Sequence, residues 1–157
     1  LPKGGRIIDI GAGSGTIADM LSKYKEGYFS FTLVDVIDWN ISKFPVVLFD
    51  GEHLPFADKE FDAALLLDVL HHSEKDEQLM KEALRVAKKV IILDIVLENR
   101  LVQIWENVHD NLQWILYGMP IGLHHRNRKQ WMEFLKGVSP RVQYFHESDP
   151  HPIFIVE

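Results

Sequence analysis

The chain has 157 residues, 46% of them hydrophobic, enough to bury one sizeable core, and its length asks for no second domain. A formal net charge of −6 offers no overall cationic field to a polyphosphate backbone, so nucleic acid is a disfavoured partner. The sequence contains no cysteine, which excludes disulfides, thiolate metal sites and a cysteine nucleophile together and suits a reducing, cytoplasmic setting.

In chain order, Arg6 to Ile10 is a short β-branched run ending at a glycine turn, and Thr16 to Tyr24 places Ile17, Met20 and Leu21 on one helical face. Further strands are expected over Phe29 to Val36, Val46 to Phe49, Phe61 to Val69 and Val90 to Val96, with a helix over Glu74 to Ala87. The run from Val90 to Leu97 is broken by Asp94 and is far too short to cross a membrane. No signal peptide opens the sequence, and Leu1 in place of Met points to a trimmed N-terminus. Apolar runs without polar alternation, spaced by helices, predict an α/β fold with a doubly wound, mostly parallel sheet.

Leu97 to Tyr117 carries an apolar stripe at helical spacing through Leu101, Ile104, Trp105, Val108, Leu112, Ile115 and Leu116. Two readings of it stand level: packing against the core or a second copy, and a cover over the substrate, with residues 97–123 as an insertion in a single domain of residues 1–157. "RNRKQWMEFLKGV" reads as the next sheet-covering helix. "RVQYFHE" and "IFIVE" are strands separated only by "SDPHP", a gap that suits a hairpin, so one of the two must be antiparallel.

The chemistry concentrates in the first third. Asp9, Gly11, Gly13 and Gly15 form D-x-G-x-G-x-G at a strand-to-helix turn on the carboxyl edge of the sheet, where open α/β sheets bind ligands. Glycine leaves no Cβ in the way, and the following helix presents free N–H groups. A dinucleotide fingerprint G-x-G-x-x-G would need glycine at position 16, where Thr16 stands. Asp35 ends the second strand and can accept hydrogen bonds from both hydroxyls of a ribose while repelling a ribose phosphate; Asp38 is a competitor less well placed.

On these residues, and on "FDGEHLPFADKEFDAALLLDVLHH" at positions 49 to 72, the chain resembles the class I S-adenosylmethionine-dependent methyltransferases, in the broad group of the ubiquinone and menaquinone biosynthesis enzymes. The resemblance spans nearly the whole chain. It implies a Rossmann-like seven-stranded sheet, S-adenosylmethionine as cofactor, and a small-molecule acceptor, with no membrane and no metal. It implies adenine recognition by Asp50, with the backbone of Gly51 and Glu52 on the ring edge, and a methionine moiety beside Asp68 and Val69. Ala12 and Val36 complete the set of expected cofactor-binding residues. Lys88 and Lys89 stand where the group has a Pro-Gly-Gly turn, which shortens the turn before the fifth strand.

His71 and His72 follow the fourth strand. Either is suited to act as a general base on a hydroxyl acceptor, and both also fit as structural residues of the motif. No metal-site spacing links them to His109, His124, His125, His146 or His151. Trp105, Trp114 and Tyr117, with Met119, are the expected lining of a substrate cover. The cluster of His124, His125, Arg126, Arg128 and Lys129 reads as a solvated helix start or, less simply, as a cradle for an anionic acceptor or nucleic acid.

Overall fold

A computed structural model of the chain describes residues 1, 3–24, 26–99, 101, 104, 105, 108, 111, 112, 115, 116, 122, 124–145 and 151–157. Strand β1 (Gly5–Ile10) lies at the centre of a seven-stranded sheet of order β3-β2-β1-β4-β5-β7-β6. It pairs in parallel with β2 (Phe29–Asp35) on one side and β4 (Ala63–Leu67) on the other. The parallel array continues outward to β3 (Val46–Leu48) and β5 (Val90–Leu93). Strand β7 (Ile153–Val156) then inserts antiparallel between β5 and β6 (Val142–Phe145), the reversal that the short "SDPHP" gap predicts.

The strands read as continuous apolar runs because both faces are covered. Ile8, Ile10, Ala64, Leu66, Val90, Ile92 and Phe154 share one face with Leu79, Met80, Ala83 and Val86 of α2 (Asp76–Val86) and with Trp131 and Leu135 of α3 (Arg128–Val138). Ile7, Phe31, Leu33 and Leu65 point to the other face, beneath Phe44 and Ala18 of α1 (Thr16–Tyr24). This is the doubly wound arrangement. Trp131, fully buried, has its one polar atom satisfied by donating Nε1–H to the Ile95 carbonyl at 2.9 Å. Helix α3 starts at a reciprocal capping box, Asn127 Oδ1 accepting from the Gln130 N–H and Gln130 Oε1 from the Asn127 N–H, each at 2.9 Å.

Three features depart from the sequence pattern. Helix α1 turns Ile17, Met20 and Leu21 outward, Met20 to 61% exposure, and seats Ala18 on the sheet instead. Residues 36–45 join β2 to β3 without a helix, shorter than the dozen or so residues of an ordinary parallel crossover, which leaves Leu48 on end strand β3 exposed. The described part of the stripe after β5 is helical, but Leu101, Ile104, Trp105, Val108, Leu112, Ile115 and Leu116 are each more than half exposed, so it is not core. Ile104, Val108, Asn111, Leu112 and Ile115 line an open hollow of about 510 Å³. Among the described residues no helix is long and apolar enough to cross a membrane.

Candidate cofactor and acceptor site

The carboxyl ends of the strands form the site, at the point where the order runs from β1 outward to β2 and β3 on one side and to β4 and β5 on the other. The chain leaves β1 through Gly11, Gly13 and Gly15, with φ of +70°, +52° and +73°. A Cβ on Gly11 would stand 2.6 Å from Cγ2 of Val69, and one on Gly15 would stand 2.5 Å from Oγ of Ser42 and 2.7 Å from Oδ1 of Asn40. Two of the three glycines therefore make room for the chain itself: Gly11 for the loop after β4, Gly15 for the loop after β2. Gly13 has nothing within 4 Å of its Cβ position, and its backbone is the one an outside molecule can approach.

Asp35, nearly buried at the end of β2, holds that loop. Its Oδ2 accepts the Gly13 N–H at 2.7 Å, and its Oδ1 accepts the N–H groups of Val36 at 2.7 Å and Ile37 at 3.2 Å. The residue expected to read a ribose is thus also the brace of the glycine loop. Asp38 caps the Asn40 N–H at 3.2 Å in the following turn. Asp9, 3% exposed on β1, has its carboxyl pushed up to about 7, first by burial and then by the charge of Asp35.

Past β3, Asp50 makes an Asx turn: Oδ1 accepts from the N–H of Glu52 at 2.8 Å and of His53 at 2.7 Å, while Oδ2 meets His53 Nδ1 at 2.9 Å. The His53 ring, then the two N–H groups, hold the Asp50 carboxyl well below the usual carboxylate range. Gly51, at φ +85°, keeps its Cβ position 3.4 Å from Cγ1 of Val36, whose side chain is exposed. Val36 and Gly51 so form an apolar ledge beside Asp50. Glu52 is paired to Lys75 at 2.6 Å.

On the other side of β1, Asp68 directly follows β4 with φ +55°, an uncommon conformation for a non-glycine residue, and its Oδ1 lies 3.7 Å from Nε2 of His151. Next in the chain, Val69 contacts the glycine loop at Gly11, and Leu70–His72 form a single 3-10 turn. Within it His71 Nδ1 meets Asp94 Oδ1 at 2.6 Å, with the Asp94 side chain fully buried and that of His71 8% exposed. Asp94 also accepts the N–H of Leu70 through Oδ2 at 3.0 Å and of Ile95 through Oδ1 at 2.8 Å. The His71 ring lies 3.9 Å from that of His72 and 5.9 Å from that of His125, so histidines that look scattered in the sequence converge. Asp68, His71 and Asp94 form a group of metal-ligand type, their atoms within 4.8 Å of one another.

Asp94 was not among the expected site residues; its signal was an acid interrupting the apolar run of β5. Trp105 is exposed on the helical stripe, and Trp114, Tyr117, Met119, His109 and His146 lie outside the described residues. Arg126 pairs through Nη2 with Asp76 and stacks 4.2 Å over the Phe134 ring and 5.1 Å over Trp131. Arg128 packs over Tyr144 at 5.5 Å.

Residues 8–92, from β1 through β5 and so the whole glycine-loop half of the site, match the model of the methyltransferase domain. The chain belongs to the methyltransferase-domain family. Its sheet order, with the antiparallel β7, is that of the class I S-adenosylmethionine-dependent methyltransferases. A protein of Methanocaldococcus jannaschii of uncharacterised function is 34% identical over 98 residues, which are 61% of this chain and 46% of that relative. The YcgJ protein of Bacillus subtilis superposes with a TM-score of 0.70 at 18% identity, over 93% of this chain and 66% of its own. A SAM-dependent methyltransferase of Methanosarcina mazei superposes at 0.67 and 18% identity, over 99% and 92%. The methyltransferase domain here thus spans about half of the sequence relative and about two thirds of the Bacillus protein.

Proposed function

We propose that the protein transfers a methyl group from S-adenosylmethionine to a small-molecule acceptor in the cytoplasm by in-line displacement. The observation that carries this reading is Gly13: the one loop glycine open to an approaching molecule, its N–H held by Asp35 at the sheet's switch point. The residues present fit the donor. Asp35 suits a ribose, Asp50 with the ledge of Val36 and Gly51 and the backbone of Glu52 suits adenine, and Asp9, Ala12, Asp68 and Val69 are assigned to the remainder.

When bound, S-adenosylmethionine supplies an intrinsically electrophilic methyl group. The protein's own task is to hold an acceptor atom in line and exclude water, which lowers a barrier by about 7–11 kcal/mol when the geometry is right. Trp105, and by sequence Trp114 and Tyr117, are assigned to the acceptor side as part of a cover over residues 97–123. Their large apolar area with polar handles suits a flat or partly apolar small molecule better than a charged polymer.

S-adenosylhomocysteine at about 100 times its Kd is expected to stabilise the protein by about 2.7 kcal/mol, a shift in Tm of about 5–10 °C, while NAD gives none. A larger shift with NAD overturns the reading. Methyl-tritiated donor with the small-molecule filtrate of a cell extract then separates an enzyme from an adenosyl-binding module: transferred label marks the enzyme, and binding without transfer the module. Trp105→Ala removes an exposed side chain and is expected to leave donor affinity within a few-fold while lowering transfer. Loss of both on a folded variant refutes the cover.

A further inference from the structure

On the reading proposed above, we infer that Asp9 is the residue by which the site distinguishes the donor from its spent form. Ionised, it favours the cationic sulfonium of S-adenosylmethionine over the neutral sulfur of S-adenosylhomocysteine, and it gives up its proton to solvent as the donor binds. The two molecules differ only in the transferred methyl group and the charge that group brings, so contacts to ribose and adenine cannot separate them and a charge can.

Asp9 lies on β1 two residues before Gly11, and its partners across the sheet are Leu33 of β2 and Leu65 of β4. With Ile7 and Ala18 these two form an apolar cluster, and Asp9 beside them is 3% exposed. Among the described residues no hydrogen bond or ion pair reaches its carboxyl. Asp35, two residues past Leu33, is the opposite case, its oxygens taken by three N–H groups that include that of Gly13. Of the two acids at the root of the glycine loop, one is braced. The other has an apolar surround and a like charge, which hold its carboxyl up at about 7. The other charged groups on the elements around Asp9 are Arg6, paired with Glu60 at 2.6 Å, Asp19 and Lys23 on α1, Asp38 and Lys43 after β2, and Asp68 after β4. What acts on Asp9 is burial first and Asp35 second.

A buried charge without a counter-charge is costly, and a cation nearby removes part of that cost. Gly13 is the loop glycine that an outside molecule can approach, and Asp35 ties it to this corner. With a sulfonium held at that loop, the ionised form of Asp9 is stabilised and its proton leaves at a lower pH. The ligand-free protein then binds more protons than the complex, so donor affinity rises with pH up to about 7 and levels off above it. When the methyl carbon passes to the acceptor, the carbon–sulfur electron pair stays on sulfur and leaves it neutral. Asp9 loses its counter-charge, takes a proton back near neutrality, and the spent molecule is held less firmly.

Calorimetry on the wild-type protein with each molecule at pH 5.5 and at pH 7.5 tests this. The ratio of S-adenosylmethionine affinity to S-adenosylhomocysteine affinity should rise about 3- to 10-fold between the two, the size of a unit charge acting across a partly buried site. At pH 6.5, runs in two buffers of different ionisation enthalpy should show about half a proton released per S-adenosylmethionine bound, and less for S-adenosylhomocysteine. Asp9→Asn has no proton to release and should flatten the ratio and abolish the extra release. Carbon-13 NMR of the Asp9 carboxyl needs no variant: in the ligand-free wild type it should titrate near neutrality, and with S-adenosylmethionine bound at lower pH. A ratio that stays constant with pH, a rise that Asp9→Asn keeps, or a carboxyl whose titration the donor does not move refutes the inference and leaves methyl transfer standing. Wild-type protein that binds neither molecule at either pH removes the proposed function, and this inference with it.

Discussion

Asp9→Asn is expected to make the ligand-free protein more stable above neutral pH and to flatten its stability between about pH 4 and pH 7. The folded carboxyl sits at about 7 against an ordinary value of 3.8, because β1 buries it and Asp35 repels its charge. The native state therefore holds a proton through that window that the unfolded chain has released. Stability falls as pH rises, by up to about 1.4 kcal/mol per pH unit and about 4 kcal/mol in total. Below pH 4 both states are protonated and the term vanishes; above pH 7 the full penalty is present. Asparagine has no charge to bury, so chemical denaturation at pH 4 should show little difference between variant and wild type, and at pH 8 a gain of up to a few kcal/mol. A wild-type profile without this slope would show that the carboxyl finds a partner on folding. A strained acid at a ligand-binding edge is the kind of group that function retains against stability, so Asp9→Asn is also expected to weaken S-adenosylhomocysteine.

The strands were legible because most of the apolar runs are buried on both faces, and the short gap between the last two admits only a reversal. Asp35 at the end of β2 and the glycines after β1 were legible from spacing alone. What the glycines answer to was not. Two of them face Val69, Ser42 and Asn40, contacts between segments far apart in sequence, and no local pattern announces them. The outward turn of Ile17 and Met20 was hidden for the opposite reason. Helical periodicity gives a face but not its partner, and in the structure it is Ala18, in the cluster of Ile7, Phe31, Leu33 and Leu65, that takes the inside. Asp94 appeared merely as an interruption in a strand, since its meaning depends on a histidine across a neighbouring strand end. The capping box at Asn127 and Gln130 sets where α3 begins, a start that the helical pattern of the segment alone did not mark.

Asp35→Ala carries the largest expected loss at the site, and it acts on two levels. In the ligand-free protein it removes the acceptor from the N–H groups of Gly13, Val36 and Ile37, so the glycine loop loses its tie to β2. Hydrogen bonds to a carboxylate contribute about 1.5–3 kcal/mol each when buried; water reaches the exposed Val36, and a net destabilisation of about 2–3 kcal/mol follows. Removing Asp35 also removes the charge that repels Asp9, so at pH 8 part of the loss is returned, whereas at pH 5, with Asp9 protonated, none is. The variant should accordingly appear more damaged at pH 5 than at pH 8. Paired with Asp9→Asn, the two substitutions should fail to add at pH 8 and add more nearly at pH 5. For the donor, the ribose contacts and the pre-set loop are lost together, and S-adenosylhomocysteine binding by calorimetry should weaken about 10- to 150-fold, equivalent to about 1.5–3 kcal/mol. Amide exchange at Gly13 separates the causes: faster exchange with unchanged affinity would leave Asp35 a brace and nothing more, and would pass the ribose to Asp38.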